Sequence, residues 1–69
     1  MNKTFRMEIT VFDPNTRDQK LDSAVQLALD HAQRTREGIL VTQESYSNYT
    51  VSTSSEVPYG LIRERLAAT

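Results

Sequence analysis

Thr4-Phe5-Arg6-Met7-Glu8-Ile9-Thr10-Val11-Phe12-Asp13 alternates apolar and polar side chains. Phe5, Met7, Ile9 and Val11 fall on one side, and Thr4, Arg6, Glu8 and Thr10 on the other. A period of two over this length, with β-branched residues in it, marks a strand with one face on a core and one in water. Phe12 breaks the alternation and belongs to the polar face or to the strand's end.

Downstream, Asp13-Pro14-Asn15-Thr16-Arg17-Asp18-Gln19-Lys20 holds no apolar side chain except Pro14 and reads as a solvated connection. The periodicity then changes. Leu21, Val25, Ala28 and Ala32 follow i, i+4, i+7, i+11, which is one face of a helix, and Ala24 widens it. The pattern predicts a helix over 21–37. Asp22 or Ser23 would cap it, with Ser23-Ala24-Val25-Gln26 as a capping box. Arg34 and Arg36 would complement the dipole of the last turn, and Gly38 would supply the left-handed stop. Leu27 and Leu29 sit on the two shoulders of the apolar face.

Residues 39–45 and 49–54 read as two further strands joined by a tight hairpin through Tyr46-Ser47-Asn48-Tyr49. Two registers are open. One puts Leu40 on the face of Val51, and a slip of one residue puts Val41 there instead. Glu56-Val57-Pro58-Tyr59-Gly60 reads as a type I turn with Pro58 at its second position. Beyond it, Ile62 and Leu66 stand four apart, which fits a short C-terminal helix or an ordered tail. The expected fold is therefore α+β: a single small domain over residues 1–69, of order β-α-β-β, with one helix on a three-stranded sheet. Its core would include Phe5, Met7, Ile9, Val11, Val25, Ala28, Ala32 and Val51. The sheet's other face would be solvated or covered by a second copy.

Composition narrows the function. Eight Lys and Arg against nine Asp and Glu leave a net charge of −1, too balanced for a disordered chain or a dominant phosphate-binding term. The longest apolar run, Ile39-Leu40-Val41, is far short of a membrane span, and the first residues lack the apolar core of a signal peptide. The absence of cysteine fits a reducing cytoplasm. Without cysteine, and with His31 as the one imidazole, neither of the usual zinc ligand sets can be assembled. Two glycines cannot make a glycine-rich phosphate loop, and no Gly-x-Ser-x-Gly elbow is present. His31 has no carboxylate at helical spacing and reads as a half-exposed helix residue. The expectation is a non-enzyme with no catalytic residue, no cofactor and no metal.

What remains is interaction. Tyr46, Tyr49 and Tyr59 lie at or near turns, and tyrosine is a favoured interface residue. Together with Asn48 at the hairpin tip and Leu27 on the helix shoulder, they are the candidate partner-binding residues of a protein-interaction or regulatory module. The alternative partner is a nucleic acid, held by Arg34, Arg36, Arg63 and Arg65. A chain of 69 residues buries a modest share of its surface and has no disulfide to add, so a homodimer is also expected to be within reach.

Overall fold

The computed structural model describes residues 5–67, so Thr4 and the last two residues of the chain lie outside the described part. The elements run β1 (Arg6–Thr10), α1 (Pro14–Thr35), β2 (Gly38–Gln43), β3 (Asn48–Ser54) and β4 (Ile62–Leu66). One helix packs on one mixed sheet of order β1-β3-β2-β4. The α+β class is as expected, with a fourth strand in place of the short helix or tail.

The helix begins two turns before the position its apolar pattern indicates. Asp13 is the N-cap, in extended conformation, and its carboxylate accepts a 3.0 Å hydrogen bond from the Asn15 N–H. Pro14 follows at the first helical position, where its missing N–H costs nothing and its fixed φ suits the helix. Residues 15–20 are helical because the cap and the proline start the helix there; their polarity reflects only that the first turns face water. Ser23, the expected cap, lies mid-helix. Asp13→Ala should cost about 1 kcal/mol. That would lower the melting temperature by roughly 4–8 °C, measured by circular dichroism. An unchanged melting point would mean that this cap does not set the helix start.

The helix also ends differently. Arg36, at φ 60°, takes the left-handed C-cap and its N–H donates to the Ala32 carbonyl at 2.7 Å. A side chain pays a steric cost there; the Arg36 guanidinium lies over the Tyr59 ring, 5.3 Å from its centroid, an attraction that opposes the strain. Gly38 is released from the role of stop and starts β2 instead.

Ala24, Ala28 and Ala32 are buried, and their small side chains let α1 approach the sheet closely. Around them lie Ile9, Val11, Ile39, Val41, Tyr49 and Val51, with Phe5, Leu21, Val25 and Leu29 at the margin. Of the expected core, Val25 is half-buried and Met7 is exposed. Met7 lies on the helix side of the sheet, as its alternation demands, but at an edge strand that the helix does not fully overhang.

The register resolves in favour of Val41: it pairs with Val51, and Met7 pairs with Val51 from the other side. Leu40 faces away from the helix. β1 and β2 are parallel to each other, with β3 inserted between them and antiparallel to both. After β3 the chain crosses the start of β2 and adds β4 beyond it, parallel to β2. A turn at the far end of that crossing is closed by the Leu61 N–H donating to the Pro58 carbonyl, with Gly60 at φ 91° in its third position. It is therefore a turn starting at Pro58 that needs a left-handed glycine, and the type I turn expected one residue earlier does not form. Ile62 and Leu66, four apart, satisfy a strand's period as well as a helix's, and five residues did not separate the two.

Candidate functional site

The helix packs against β1, β3 and β2 and, among the described residues, makes no close approach to β4. This geometry leaves β4 as a shelf beyond the helix, with all five of its residues exposed. Ile62, Glu64 and Leu66 stand on the helix side of the shelf; Arg63 and Arg65 stand on the other, in register with Leu40 and Thr42. The Arg65 Nε donates to the Thr42 hydroxyl at 3.4 Å.

Between the first turns of α1 and the shelf lies a cleft of about 430 Å³, lined by Arg17, Gln43, Tyr49, Glu64 and Leu66 among others. Tyr49 is buried on the helix side of β3 and belongs to the core, while also lining the cleft. Arg17 is exposed at the start of the helix, and interaction with the Tyr49 side chain, then with Asp18 and Glu64, holds its guanidinium above its ordinary pKa. Arg17 thus sets a cation at the edge of the groove. The groove continues past Tyr49 to Phe12 and Tyr46, which are 85% and 90% exposed, while Leu66 at the other margin is 74% exposed.

The backbone of the shelf is open too. In the parallel ladder the Ile39 N–H donates to the Leu61 carbonyl and the Ala67 N–H to the Gln43 carbonyl. Alternate residues of a parallel strand serve opposite neighbours, so residues 61, 63, 65 and 67 bond to β2. The N–H and C=O groups of Ile62, Glu64 and Leu66 therefore point outward from the sheet.

The expected partner-binding residues do not form one surface. Tyr46 stands in the β2–β3 connection, at the end of β2 farthest from Gly38, and Asn48 beside it accepts a 3.0 Å hydrogen bond from the Thr10 hydroxyl. Tyr49 is buried. Tyr59 lies under Arg36 at the opposite end of the sheet. Leu27 is exposed on the flank of α1 above β1, in the stripe that also holds Lys20, Ser23 and His31. The His31 ring packs at 5.9 Å from the Phe5 ring, and the Thr35 hydroxyl donates to the His31 backbone carbonyl.

The four arginines of the nucleic-acid alternative are split by the sheet. Arg34 pairs with Asp30 at 3.4 Å on the helix and Arg36 caps that helix, whereas Arg63 and Arg65 project from the face away from it. Phe12, Arg17, Gln43, Glu64 and Leu66 are not among the candidate site residues read from the sequence. Reading Asp13-Pro14 as a cap would have placed Arg17 in the first helical turn, directly after β1, and so beside the groove.

Among the described residues there is no cluster of three or more His, Cys, Asp or Glu that could hold a metal, and no helix long and apolar enough to cross a membrane. Compared with known proteins, the chain matches no family model, no curated protein and no solved structure.

Proposed function

We propose that this chain is a non-enzymatic protein-interaction module that takes an extended segment of another protein along β4. The observation that carries the reading is the open outer edge of β4: three outward N–H and C=O pairs on an uncovered strand beside a groove. An edge of this kind is a template for strand addition, in which backbone hydrogen bonds supply affinity and alternate side chains supply specificity. The flanking chemistry names the partner's pattern. On the helix side an added strand would meet Ile62 and Leu66, which favour apolar side chains, with Glu64 between them. On the other side it would meet Arg63 and Arg65, which favour carboxylates. The partner segment is therefore an extended one alternating apolar and acidic residues.

A nucleic acid has less support as the partner, because Arg34 and Arg36 lie on the helix side of the sheet and Arg63 and Arg65 on the other. Glutamates 8 and 44 share the arginine face as well.

The test is titration of nitrogen-15-labelled protein with a short peptide alternating valine and glutamate, beside one alternating valine and lysine. The glutamate peptide should shift the amides of Ile62, Glu64 and Leu66, and the lysine peptide should not. Glu64→Pro should abolish binding. It removes an outward N–H that the ladder to β2 does not use, and proline is tolerated on edge strands, so the melting temperature should move by only a few degrees. Equal binding by Glu64→Pro, or shifts confined to other strands, would overturn the reading.

A further inference from the structure

We propose that the chain forms a two-fold homodimer in which β1 pairs antiparallel with β1 of a second copy, centred on Met7. The inference is independent of strand addition at β4, since it uses the opposite edge of the sheet.

The first support is backbone parity. The Val11 N–H donates to the Ser47 carbonyl and the Phe5 carbonyl accepts from the Thr53 N–H. Residues 5, 7, 9 and 11 thus bond to β3, and Arg6, Glu8 and Thr10 present their backbone groups to the outside. Lys20 Nζ already donates to the Thr10 carbonyl at 3.3 Å, which closes that end of the edge. Arg6 and Glu8 are the open residues. A two-fold axis between adjacent antiparallel strands of one sheet must stand perpendicular to the sheet, because an in-plane axis along the strands would make them parallel; both helices therefore lie on one side. Opposed residue numbers then sum to an even constant.

The second support is charge, which selects among those registers. Centring on Arg6 opposes Arg6 to Arg6, and centring on Glu8 opposes Glu8 to Glu8. Centring on Met7 opposes Arg6 to the partner's Glu8 and Glu8 to the partner's Arg6, both as hydrogen-bonded pairs. Arg6 and Glu8 also sit 3.6 Å apart within one strand. The four charges then form a square with unlike neighbours on every side and like charges only on the diagonals. The other edge of the sheet fails the same test. On β4, centring on Arg63 or Arg65 opposes two arginines, and centring on Glu64 opposes two glutamates and sets Arg63 against Arg65 twice. Like charges directly opposite destabilise strand pairs; the three central registers of β4 each oppose like charges, whereas β1 offers a central register that opposes only unlike ones.

The third support is the apolar surface left above that edge. Met7 is 37% exposed on the helix side of β1, and Leu27 is exposed on the helix flank above it. In the paired form Met7 meets the partner's Met7 across the axis, and Phe5 meets the partner's Ile9. α1 lies over β3, one strand spacing inside β1, so the two helices would run roughly 14 Å apart, wider than the 8–10 Å of direct helix contact. Met7 and Leu27 of both copies fill that gap. The product is an eight-stranded sheet carrying two helices on one face, with a β4 edge at each end.

Sedimentation equilibrium over a dilution series into the high micromolar range tests this. The native chain should rise from 7.9 kDa toward twice that mass. Arg6→Glu and Glu8→Arg should each weaken self-association by on the order of a hundredfold. Both sites are exposed and their ion pair is a surface one, so the fold should survive either change. The double swap should restore the dimer, and an equimolar mixture of the two single variants should form a heterodimer, because every opposed pair is then unlike. Met7→Cys, in a chain with no cysteine, should give a reducible covalent dimer on mild oxidation. Opposed residues of a non-hydrogen-bonded pair have Cα atoms about 4.5 Å apart, within disulfide reach. A single 7.9 kDa species throughout, or single variants that associate as well as the native chain, would overturn the proposal.

Discussion

Gly38→Ala is expected to remove much of the stability of the fold, although it adds one methyl group to a strand. The chain must pass from β3 to β4 across the start of β2, because β2 lies between them. It crosses directly over Gly38, whose N–H donates to the Val57 carbonyl at 2.8 Å. A Cβ at Gly38 would overlap the Val57 side chain and stand 2.5 Å from the carbonyl oxygens of Val57 and Pro58. Those oxygens belong to backbone and cannot rotate aside as a side chain would. Val57 is itself buried, so the crossing cannot simply lift into water. Overpacking of this kind costs about 1–3 kcal/mol or more, and loss of the Gly38–Val57 hydrogen bond adds to it. A domain of 69 residues has a total stability of only about 3–10 kcal/mol. Circular dichroism should show a melting temperature lowered by at least about 15 °C, or no transition. Gly60→Ala is the control. Nothing lies within 4 Å of a Cβ there, and its φ of 91° alone is at stake, so its cost is about 1 kcal/mol. Equal effects at the two glycines would mean that the crossing does not depend on close approach.

Gly38 also shows where the sequence was legible. A glycine after a helical pattern ordinarily ends the helix, and nothing local distinguishes that role from a crossing point created by a loop twenty residues later. The first strand and the centre of the helix were readable because their apolar faces are long enough to separate a period of two from one of 3.6. β4 was not readable, because Ile62 and Leu66 satisfy both periods and its burial is too slight to impose a pattern. The helix start was readable in principle. Asp13-Pro14 is a cap followed by a proline, but polarity of the next six residues outweighed it in a reading that looks for an apolar stripe.

The candidate site was less legible than the fold, for a physical reason. Tyrosines near turns attract notice, yet Tyr49 is taken by the core and Tyr59 by the helix C-cap. The groove is defined instead by which strand the helix fails to cover, a property of sheet order and not of any short motif. Even Leu27, noted on a helix shoulder, gains meaning only once β1 is known to be an edge.

That uneven coverage leads to the second large effect, a contrast between two isoleucines that face each other across the β2–β4 ladder. Ile39 pairs with Ile62, and both stand on the helix side of the sheet. Ile39 is 1% exposed beneath α1, and Ile62 is 50% exposed on the shelf. Ile39→Ala removes packed methyl groups and leaves a void that neither the alanine stripe of α1 nor Val51 can fill. It should cost about 2–5 kcal/mol, lowering the melting temperature by on the order of 10–30 °C for a domain of this size. Ile62→Ala removes the same atoms from a half-solvated site and should cost less than about 1 kcal/mol. Under strand addition at β4 the order of importance reverses for binding. Ile62→Ala then weakens peptide affinity on a fold that is nearly unchanged, while Ile39→Ala acts through loss of the fold. Paired chemical denaturation curves decide the stability half of the contrast. Similar losses at both positions would mean that α1 reaches over β4 in solution, closing the groove and removing the basis of the β4 reading.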